Sequence, residues 1–207
     1  MGHENATKDR IRNEAIKLIH EKGFGSVTLT EICKASGINK HTFYYYFKSK
    51  DELLKKFYRF PCHMNKTDMM EIFSCDSHVE QLWLLRKNIM NHIACQGVSI
   101  LKQLLVKNIN DNVGTFEMSE EREHLRKAQL SIIDKGKASG EILSRKETEV
   151  LLILLNQSSN AIMFAWCIKN GSFDLWKHIR FMFEKILDVS PEHCTVQDDF
   201  IKEYWYF

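Results

Sequence analysis

The sequence is poor in the two residues that most often interrupt regular structure. Its 207 residues include only 9 glycines and 2 prolines, where average usage would give roughly 14 and 10. Sandwiches, barrels and disordered chains need many more turn-forming residues. The scarcity therefore predicts long helices with few interruptions, and the length predicts one domain with an appendage or two small domains.

The sequence also lacks the patterns of secretion and membrane insertion. The first thirty residues contain no apolar run of the kind that a signal peptide requires. The longest apolar stretch, Val150 to Ile168, is interrupted by five polar residues at 156–160, which would be costly inside a lipid bilayer. We therefore expect a cytoplasmic protein with no membrane partner, whose six cysteines stay reduced.

Motifs of the common enzyme and metal sites are missing. The sequence contains no HExxH, GxSxG, GxGxxG or P-loop pattern and no CxxC pair. We therefore expect no catalytic activity, no catalytic residue and no cofactor. Cysteine and histidine do lie three residues apart at Cys75 and His78 and again at His92 and Cys95, a spacing that keeps a metal- or redox-responsive protein open as an alternative.

A net charge of only +2 conceals an uneven distribution. Residues 1–60 carry twelve Lys and Arg against seven Asp and Glu, a net charge of +5, and the remaining 17 basic and 20 acidic residues give −3. A basic end on a mildly acidic body is typical of a protein that binds a polyanion such as nucleic acid.

Helix-capping patterns place short helices in the basic region and longer ones beyond it. Apolar residues at helical spacing predict a first helix that ends at Gly23, and a turn at Ser36-Gly37 separates the next two. The capping signals are three capping boxes at Thr28-x-x-Glu31, Ser49-x-x-Glu52 and Ser144-x-x-Glu147, and N-cap residues at Asn39 and Asp174.

The last two predicted helices, Glu147–Asn170 and Asp174–Asp188, carry more apolar surface than one small body can cover. Such helices are expected to pair with those of a second copy as a four-helix bundle. The sequence therefore predicts a homodimer.

The two short helices around Ser36-Gly37 fit the plan of a helix-turn-helix, in which the second helix enters the DNA major groove. Ile32, Phe43 and Phe47 are available to pack the two helices against each other. The second helix, from Lys40 onward, combines polar and basic residues with three consecutive tyrosines. Such a surface is suited to base edges and phosphates.

This region resembles the N-terminal signature of the TetR family of transcriptional regulators over about residues 8–60. The resemblance rests on Gly23-Phe24, on VTLTEICKASGI at 27–38 and on FYYYFKSKDEL at 43–53. Cys33 and Ser36 stand where the family usually has alanine, and both are small enough to keep the tight helix crossing. The resemblance implies an all-α fold, with a three-helix helix-turn-helix DNA-binding domain at residues 1–60 and a helical ligand-binding and dimerisation domain at 61–207.

It also implies a repressor that a small-molecule effector releases from a near-palindromic operator in double-stranded DNA. A dimer of this kind places its two recognition helices about 34–36 Å apart, and a ligand that favours another spacing weakens binding. We expect Lys40 and His41 to contact bases and Tyr45, Tyr46 and Lys50 to contact the backbone. The full set of implied DNA contacts is Thr28, Thr30, Asn39, Lys40, His41, Tyr44, Tyr45, Tyr46 and Lys50.

Candidate ligand contacts are the methionines and aromatic residues of the body, because adaptable apolar side chains line such pockets. Asn156, Gln157 and Asn160 could be the polar groups of the pocket or could bond across a dimer seam. A DNA-binding protein of the same fold without small-molecule control also remains open. The apolar candidates are Met64, Met69, Met70, Phe73, Trp83, Met90, Phe116, Met163 and Trp166, and Asn160 is taken as the polar one.

Overall fold

A computed structural model describes residues 2–57, 64–111, 122–197 and 200. Over these ranges the chain is helical, apart from turns and one isolated antiparallel bridge between Ile142 and Val189. The all-α prediction is confirmed. The helices are α1 (Gly2–Lys22), α2 (Leu29–Ala35), α3 (Lys40–Tyr46), α4 (Lys66–Phe73), α5 (His78–Ala94), α6 (Gly97–Asp111), α7 (Glu123–Ser139), α8 (Thr148–Ile168) and α9 (Leu175–Leu187), with 3-10 helices at Asp51–Phe57 and Pro191–His193.

The chain forms two compact units, and each unit combines two segments that are separate in the sequence. The first unit combines Met1–Phe60 with His92–Glu117, and the second combines Pro61–Asn91 with Met118–Phe207. The first unit therefore holds α1, α2, α3 and α6, and the second holds α4, most of α5, and α7 to α9.

In the first unit, α1 packs against α2 and α6, and α2 packs against α3. Ile11, Ala15 and Ile19 are fully buried along one face of α1, as their helical spacing predicts. The Phe24 backbone N–H donates to the Ser99 hydroxyl of α6 at 3.1 Å, which fixes the turn after α1 to that helix. Phe43 of α3 is fully buried, so α3 is anchored by its inner face.

Two of the predicted helix caps in this unit are present. The Glu31 backbone N–H donates to the Thr28 hydroxyl, and the Glu31 carboxylate accepts from the Thr28 N–H at 2.8 Å. The Thr42 N–H donates to the Asn39 side chain at 2.8 Å. The Lys22 ammonium, 2.8 Å from Glu31, together with the Thr28 bonds, lowers the pKa of Glu31 to about 2.

The capping box at Ser49 stays a prediction. The Glu52 carboxylate accepts from the Lys48 N–H at 2.6 Å, and the segment that follows is the 3-10 helix Asp51–Phe57. Residues 58–63, which include Pro61 and Cys62, lie outside the described residues.

Ser36 gives a stability prediction, because its hydroxyl is buried without a hydrogen-bond partner. Its backbone is in the right-handed helical region (φ −85°, ψ −3°), which alanine adopts equally well. An unpaired buried hydroxyl costs about 1–3 kcal/mol. Ser36→Ala should therefore raise the free energy of unfolding by about 1 kcal/mol, measured by urea denaturation, and an unchanged or lower value would contradict this assignment.

The second unit has its main core between α5, α7, α8 and α9. α8 packs against both α7 and α9. Buried side chains from all four helices meet there, and Trp83 packs against them. The core consists of Val79, Leu82, Ile133, Ile142, Leu151, Leu152, Leu155, Phe183, Leu187 and Val189.

The capping box predicted at Ser144 is wrong. The Ser144 N–H donates to the Leu187 carbonyl at 3.1 Å, and the Leu143 N–H donates to the Asp188 carbonyl at 2.9 Å. Residues 142–144 therefore pair with the end of α9 and cannot begin a helix. α8 starts at Thr148, without a side-chain cap.

Within the described ranges, one helix, α8, is long and apolar enough to cross a membrane by length and composition alone. Its central polar residues already have partners inside the protein. Asn156 and Ser159 accept hydrogen bonds from Arg86 at 3.0 and 3.3 Å. These contacts explain why a polar segment interrupts an otherwise apolar helix.

Candidate nucleic-acid interface and ligand cavity

The outer face of α3 presents the residues that the sequence predicts for DNA contact. Phe43 and Phe47 are buried on the inner side, with ring centroids 5.5 Å apart. Tyr44 and Tyr45 are 57% and 68% exposed on the outer side, although large apolar rings are usually covered. The exposed tyrosines therefore form a surface that the packing of this unit does not use.

Basic and polar groups surround these tyrosines. Lys40 and His41 are exposed in the first turn of α3. The Asn39 side chain caps that turn and also accepts from the Thr42 hydroxyl at 3.0 Å. Tyr45 and Tyr46 contact each other edge to face, with ring centroids 4.9 Å apart. The arrangement offers cations and phenolic hydroxyls together on one short helix.

Lys50 has contacts inside the protein that sequence reasoning missed. Its ammonium donates to the backbone carbonyls of Phe24 and Val27 at 2.6 and 2.9 Å, and it lies 4.1 Å from the centre of the Phe24 ring. Lys50 therefore ties the segment after α3 to the turn between α1 and α2. No local pattern could have signalled this, because the partners lie more than twenty residues away.

The structure brings the nine predicted DNA contacts to one unit but does not test their roles. Thr28 and Asn39 serve as helix caps and are still exposed. Tyr46 and Lys50 are half-buried, and the other predicted residues, Thr30 included, are exposed. Their DNA contacts stay predictions.

A separate cavity of about 450 Å³ lies within the second unit, between α4, α5 and α7. Three of the predicted ligand contacts, Met64, Met69 and Phe73, are among the described residues that line it. Sequence reasoning missed its α7 wall, because polar and small residues there carry no aromatic or methionine signal. The remaining lining residues are Ile72, Leu85, His124, Leu125, Ala128, Ser131, Ile132 and Lys135.

The other ligand candidates lie elsewhere. Trp83 packs against Phe183, with ring centroids 5.6 Å apart, and the Trp166 indole donates to the Phe173 carbonyl at 2.9 Å. These two rings support the fold of the unit and not the cavity. Among the others, Met90 and Met163 are buried, Met70 is 73% exposed, Asn160 is half-buried and Phe116 lies outside the described residues.

The cysteine and histidine pairs do not assemble a metal site in the part of the chain that the structure describes. No group of three His, Cys, Asp or Glu side chains there is arranged to hold a metal ion. The Cys75 thiol donates to the Glu71 carbonyl, and His78 pairs with the Glu141 carboxylate at 2.7 Å. The metal- or redox-responsive alternative therefore receives no support from this geometry.

Comparison with known proteins agrees with the helix-turn-helix geometry. Residues 11–57 match the family described as bacterial regulatory proteins, tetR family. The HTH-type transcriptional regulator YerO of Bacillus subtilis is 46% identical over 50 residues, which are 24% of this chain and 17% of YerO. The negative transcriptional regulator IcaR of the biofilm operon icaADBC in Staphylococcus epidermidis is 41% identical over 49 residues, 24% of this chain and 26% of IcaR. The chain thus spans about a quarter or less of these relatives.

Solved structures extend the likeness of the fold to the whole chain. The crystal structure of Thermus thermophilus FadR, described as a TetR-family transcriptional repressor in complex with lauroyl-CoA, superposes with a TM-score of 0.53 at 18% identity. The match covers 92% of this chain and 96% of that one. At this identity the likeness shows the fold alone.

Fold and exposed surface together define an all-α protein with an N-terminal helix-turn-helix. More narrowly, residues 11–57 match the N-terminal region of the TetR family of transcriptional regulators. This confirms the resemblance on which the sequence prediction rests.

Proposed function

We propose that the protein is a sequence-specific transcriptional regulator that represses its target genes by binding a near-palindromic operator as a homodimer, and that a small-molecule effector releases it. The exposed Lys40, His41 and tyrosine face of α3, inside the matched residues 11–57, carries this proposal. The names of IcaR and FadR as a negative regulator and a repressor support repression. The place of action is the cytoplasm, and the role requires no catalysis.

In this proposal Lys40 and His41 contact base edges, and Tyr45, Tyr46 and Lys50 contact the DNA backbone. Lys50 uses two of its three ammonium donors on Phe24 and Val27, so a phosphate contact would use the third. The DNA-binding part is assigned to residues 1–60 and the effector and dimer part to 61–207, although the first compact unit also contains His92–Glu117.

Lys40→Ala should weaken binding to the preferred operator by about 1–3 kcal/mol and relax the base preference at one position. Lys40 is exposed on α3, so the thermal stability should not change. Fluorescence anisotropy on the operator and on its single-base variants measures both effects. Lys17→Ala is the control, because Lys17 is an exposed lysine of α1 that pairs with Glu14 at 2.7 Å. Equal losses for the two variants would contradict the base contact.

The dimer is supported by an exposed apolar stripe on α8. We define this α8 stripe as residues 150, 154, 157, 161, 164 and 168, which are all exposed. Their spacing alternates between four and three residues, which is the heptad seam along which two helices pack. Apolar members such as Phe164 and Ile168 are 47% and 59% exposed, so α8 has a second apolar face that one copy of the chain leaves uncovered.

A second copy is the partner that fits the stripe. The opposite face of α8, with Leu151, Leu155 and Met163, is buried in the core of its own unit. An isologous contact of the α8 stripe with itself would bury identical residues on both sides. The sequence left open whether Asn156, Gln157 and Asn160 are polar groups of the pocket or bond across a dimer seam. The exposed position of Gln157 on the α8 stripe supports a seam contact for that residue, and Asn156 accepts a hydrogen bond from Arg86.

α9 contributes less free surface than the sequence predicts. Phe181 of α9 is buried in a cluster with Val196 and Phe200, which follow that helix. The C-terminal segment of the same chain thus covers one face of α9. We therefore assign the dimer contact chiefly to α8.

The cavity between α4, α5 and α7 is the proposed effector site. Its volume of about 450 Å³ falls within the range of small-molecule pockets, roughly 300–1,000 Å³. Its walls are mainly apolar side chains, such as Met69, Phe73 and Leu125. The FadR structure contains an acyl-CoA, which supports an apolar effector for this chain.

A further inference from the structure

Arg86 is a buried cation at the centre of the second unit. It lies on α5 and is 5% exposed. Its guanidinium donates to the Gln129 side chain at 2.9 Å, the Asn156 side chain at 3.0 Å and the Ser159 hydroxyl at 3.3 Å. These partners lie on α7 and α8, so one side chain joins three helices.

All three acceptors are neutral. Among the described residues, no carboxylate lies within ion-pair distance of Arg86. Burial lowers the pKa of Arg86 to about 10, so the guanidinium is still charged at neutral pH. A buried charge without a counter-charge is strongly unfavourable in the interior of a protein.

Arg180, in the same unit, is a buried arginine whose charge is balanced by carboxylates. Its side chain is also buried, and it pairs with Glu184 at 2.6 Å and with Glu80 at 2.5 Å. Arg180 thus has two carboxylate partners, whereas Arg86 has none among the described residues. Arg86 is therefore the buried arginine of this unit whose described partners are all neutral.

The effector cavity and the Arg86 cluster share two helices, although neither Arg86 nor Gln129 is among the described residues that line the cavity. Leu85 lines the cavity and precedes Arg86 on α5. Leu125 lines it on α7, and Gln129, which binds Arg86, lies one turn further along and donates to the Leu125 carbonyl. Residues that line the cavity and residues of the Arg86 cluster are therefore neighbours along both helices.

We propose that Arg86 recognises the anionic group of the effector, and that the effector is an organic anion with an apolar body and a carboxylate or phosphate head. This inference rests on the proposed effector site. An anionic head can accept two parallel hydrogen bonds from a guanidinium, and two of the five N–H groups of Arg86 are not used by the acceptors named above. The apolar body occupies the cavity beside Leu85 and Leu125.

The same contact provides a physical route for control of DNA binding. Asn156 and Ser159 lie on α8, whose opposite face carries the α8 stripe. In this proposal an anion bound to the two remaining N–H groups of Arg86 weakens its bonds to Asn156 and Ser159, and so shifts α8 relative to α5 and α7. A ligand shifts the population of two conformations when it binds one of them better.

The first test compares probes of equal apolar length on the full chain. Dodecanoate, dodecyl phosphate and dodecanol are titrated below their micellar concentrations, and binding is measured by thermal unfolding and by isothermal titration calorimetry. The proposal expects saturable binding of at least one of the two anions at least tenfold tighter than dodecanol. The tighter of the two identifies the head group. Equal binding of dodecanol, or no binding of either anion, would overturn the proposal.

The second test uses variants of two arginines. Arg86→Gln should reduce the affinity for the anion at least tenfold and leave dodecanol binding unchanged, and Arg86→Lys should retain part of the affinity. Arg126→Gln is the matched control, because Arg126 of α7 already pairs with Glu123 and Glu149. If Arg86→Gln does not fold, Arg86→Lys and the probe comparison decide. An unchanged preference for the anion in the Arg86 variants would refute the role of Arg86.

DNA release is measured separately, so that the two proposals can fail independently. An anion that binds through Arg86 without weakening operator binding would support this inference and contradict effector-controlled release. A neutral compound that releases the operator with equal strength from the wild type and from the Arg86 variants would support the proposed function and overturn this inference.

Discussion

Replacing both Leu154 and Phe164 with glutamate is expected to convert the protein to monomers and to lower its affinity for the operator at least about a thousandfold. A thousandfold is the lower end of the usual difference in affinity between specific and non-specific DNA binding. Both residues belong to the α8 stripe and are 38% and 47% exposed. In a self-complementary contact each substitution places two charges in an apolar seam. A monomer then reads only one half-site.

Sedimentation velocity measures the association, and anisotropy with a two-half-site operator measures the affinity. Ile109→Glu is the matched control, because Ile109 is an apolar residue of α6, 74% exposed and outside the α8 stripe. The control should remain dimeric. If the double α8 variant forms dimers over the same range of protein concentration as the wild type, the chain associates through another surface.

Glu184→Ala is expected to lower the free energy of unfolding by about 3–5 kcal/mol, the usual effect of breaking a buried ion pair by removing one partner. The buried Glu184 carboxylate accepts from Arg180 at 2.6 Å, from the Thr195 N–H at 2.9 Å and from the Val196 N–H at 3.2 Å. Its loss leaves Arg180 less compensated and frees the segment that covers α9. Urea unfolding measures the change, and Glu71→Ala, an exposed carboxylate of α4, should have little effect.

The lowered pKa values of two buried carboxylates, Glu184 and Glu141, predict loss of stability in acid. Burial by itself would raise the pKa of Glu184, but Arg180 and Thr195 outweigh it and lower that pKa. Burial would also raise the pKa of Glu141, but hydrogen bonds with Ser77 and His78 outweigh this effect and lower that pKa to about 2. Because the folded pKa values are lowered, this stability is present above the ordinary value near pH 4.5 and is lost as the pH falls toward 2. Glu184→Ala should flatten this dependence, and an unchanged slope would contradict the assignment.

Much of the DNA-binding unit could be predicted because its signals are local. The caps at Thr28 and Asn39 depend on residues three positions away, and the buried faces of α1 and α3 follow helical periodicity. The basic and aromatic surface of α3 follows from the same pattern, because the inward positions of Phe43 and Phe47 fix which residues face outward.

The features that could not be predicted depend on contacts between distant segments. Ser144 fits a capping box in sequence, but its backbone pairs with the end of α9. Lys50 fits a surface cation, but carbonyls of the turn before α2 bind it. Arg86 has no local signal at all, since its partners lie 43 to 73 residues away. The α7 wall of the cavity could not be predicted for the same reason, because only packing brings it opposite Met69 and Phe73.

Selection of bound DNA from a random pool by the 207-residue chain tests the central claim most directly. The account predicts enrichment of a near-palindrome whose half-sites lie about one helical turn, or a multiple of it, apart. The enrichment should disappear with the Leu154→Glu and Phe164→Glu double variant. Absence of any enriched sequence at low salt, where protein–DNA contacts are strongest, would contradict the assignment of this protein as a dimeric sequence-specific DNA-binding regulator.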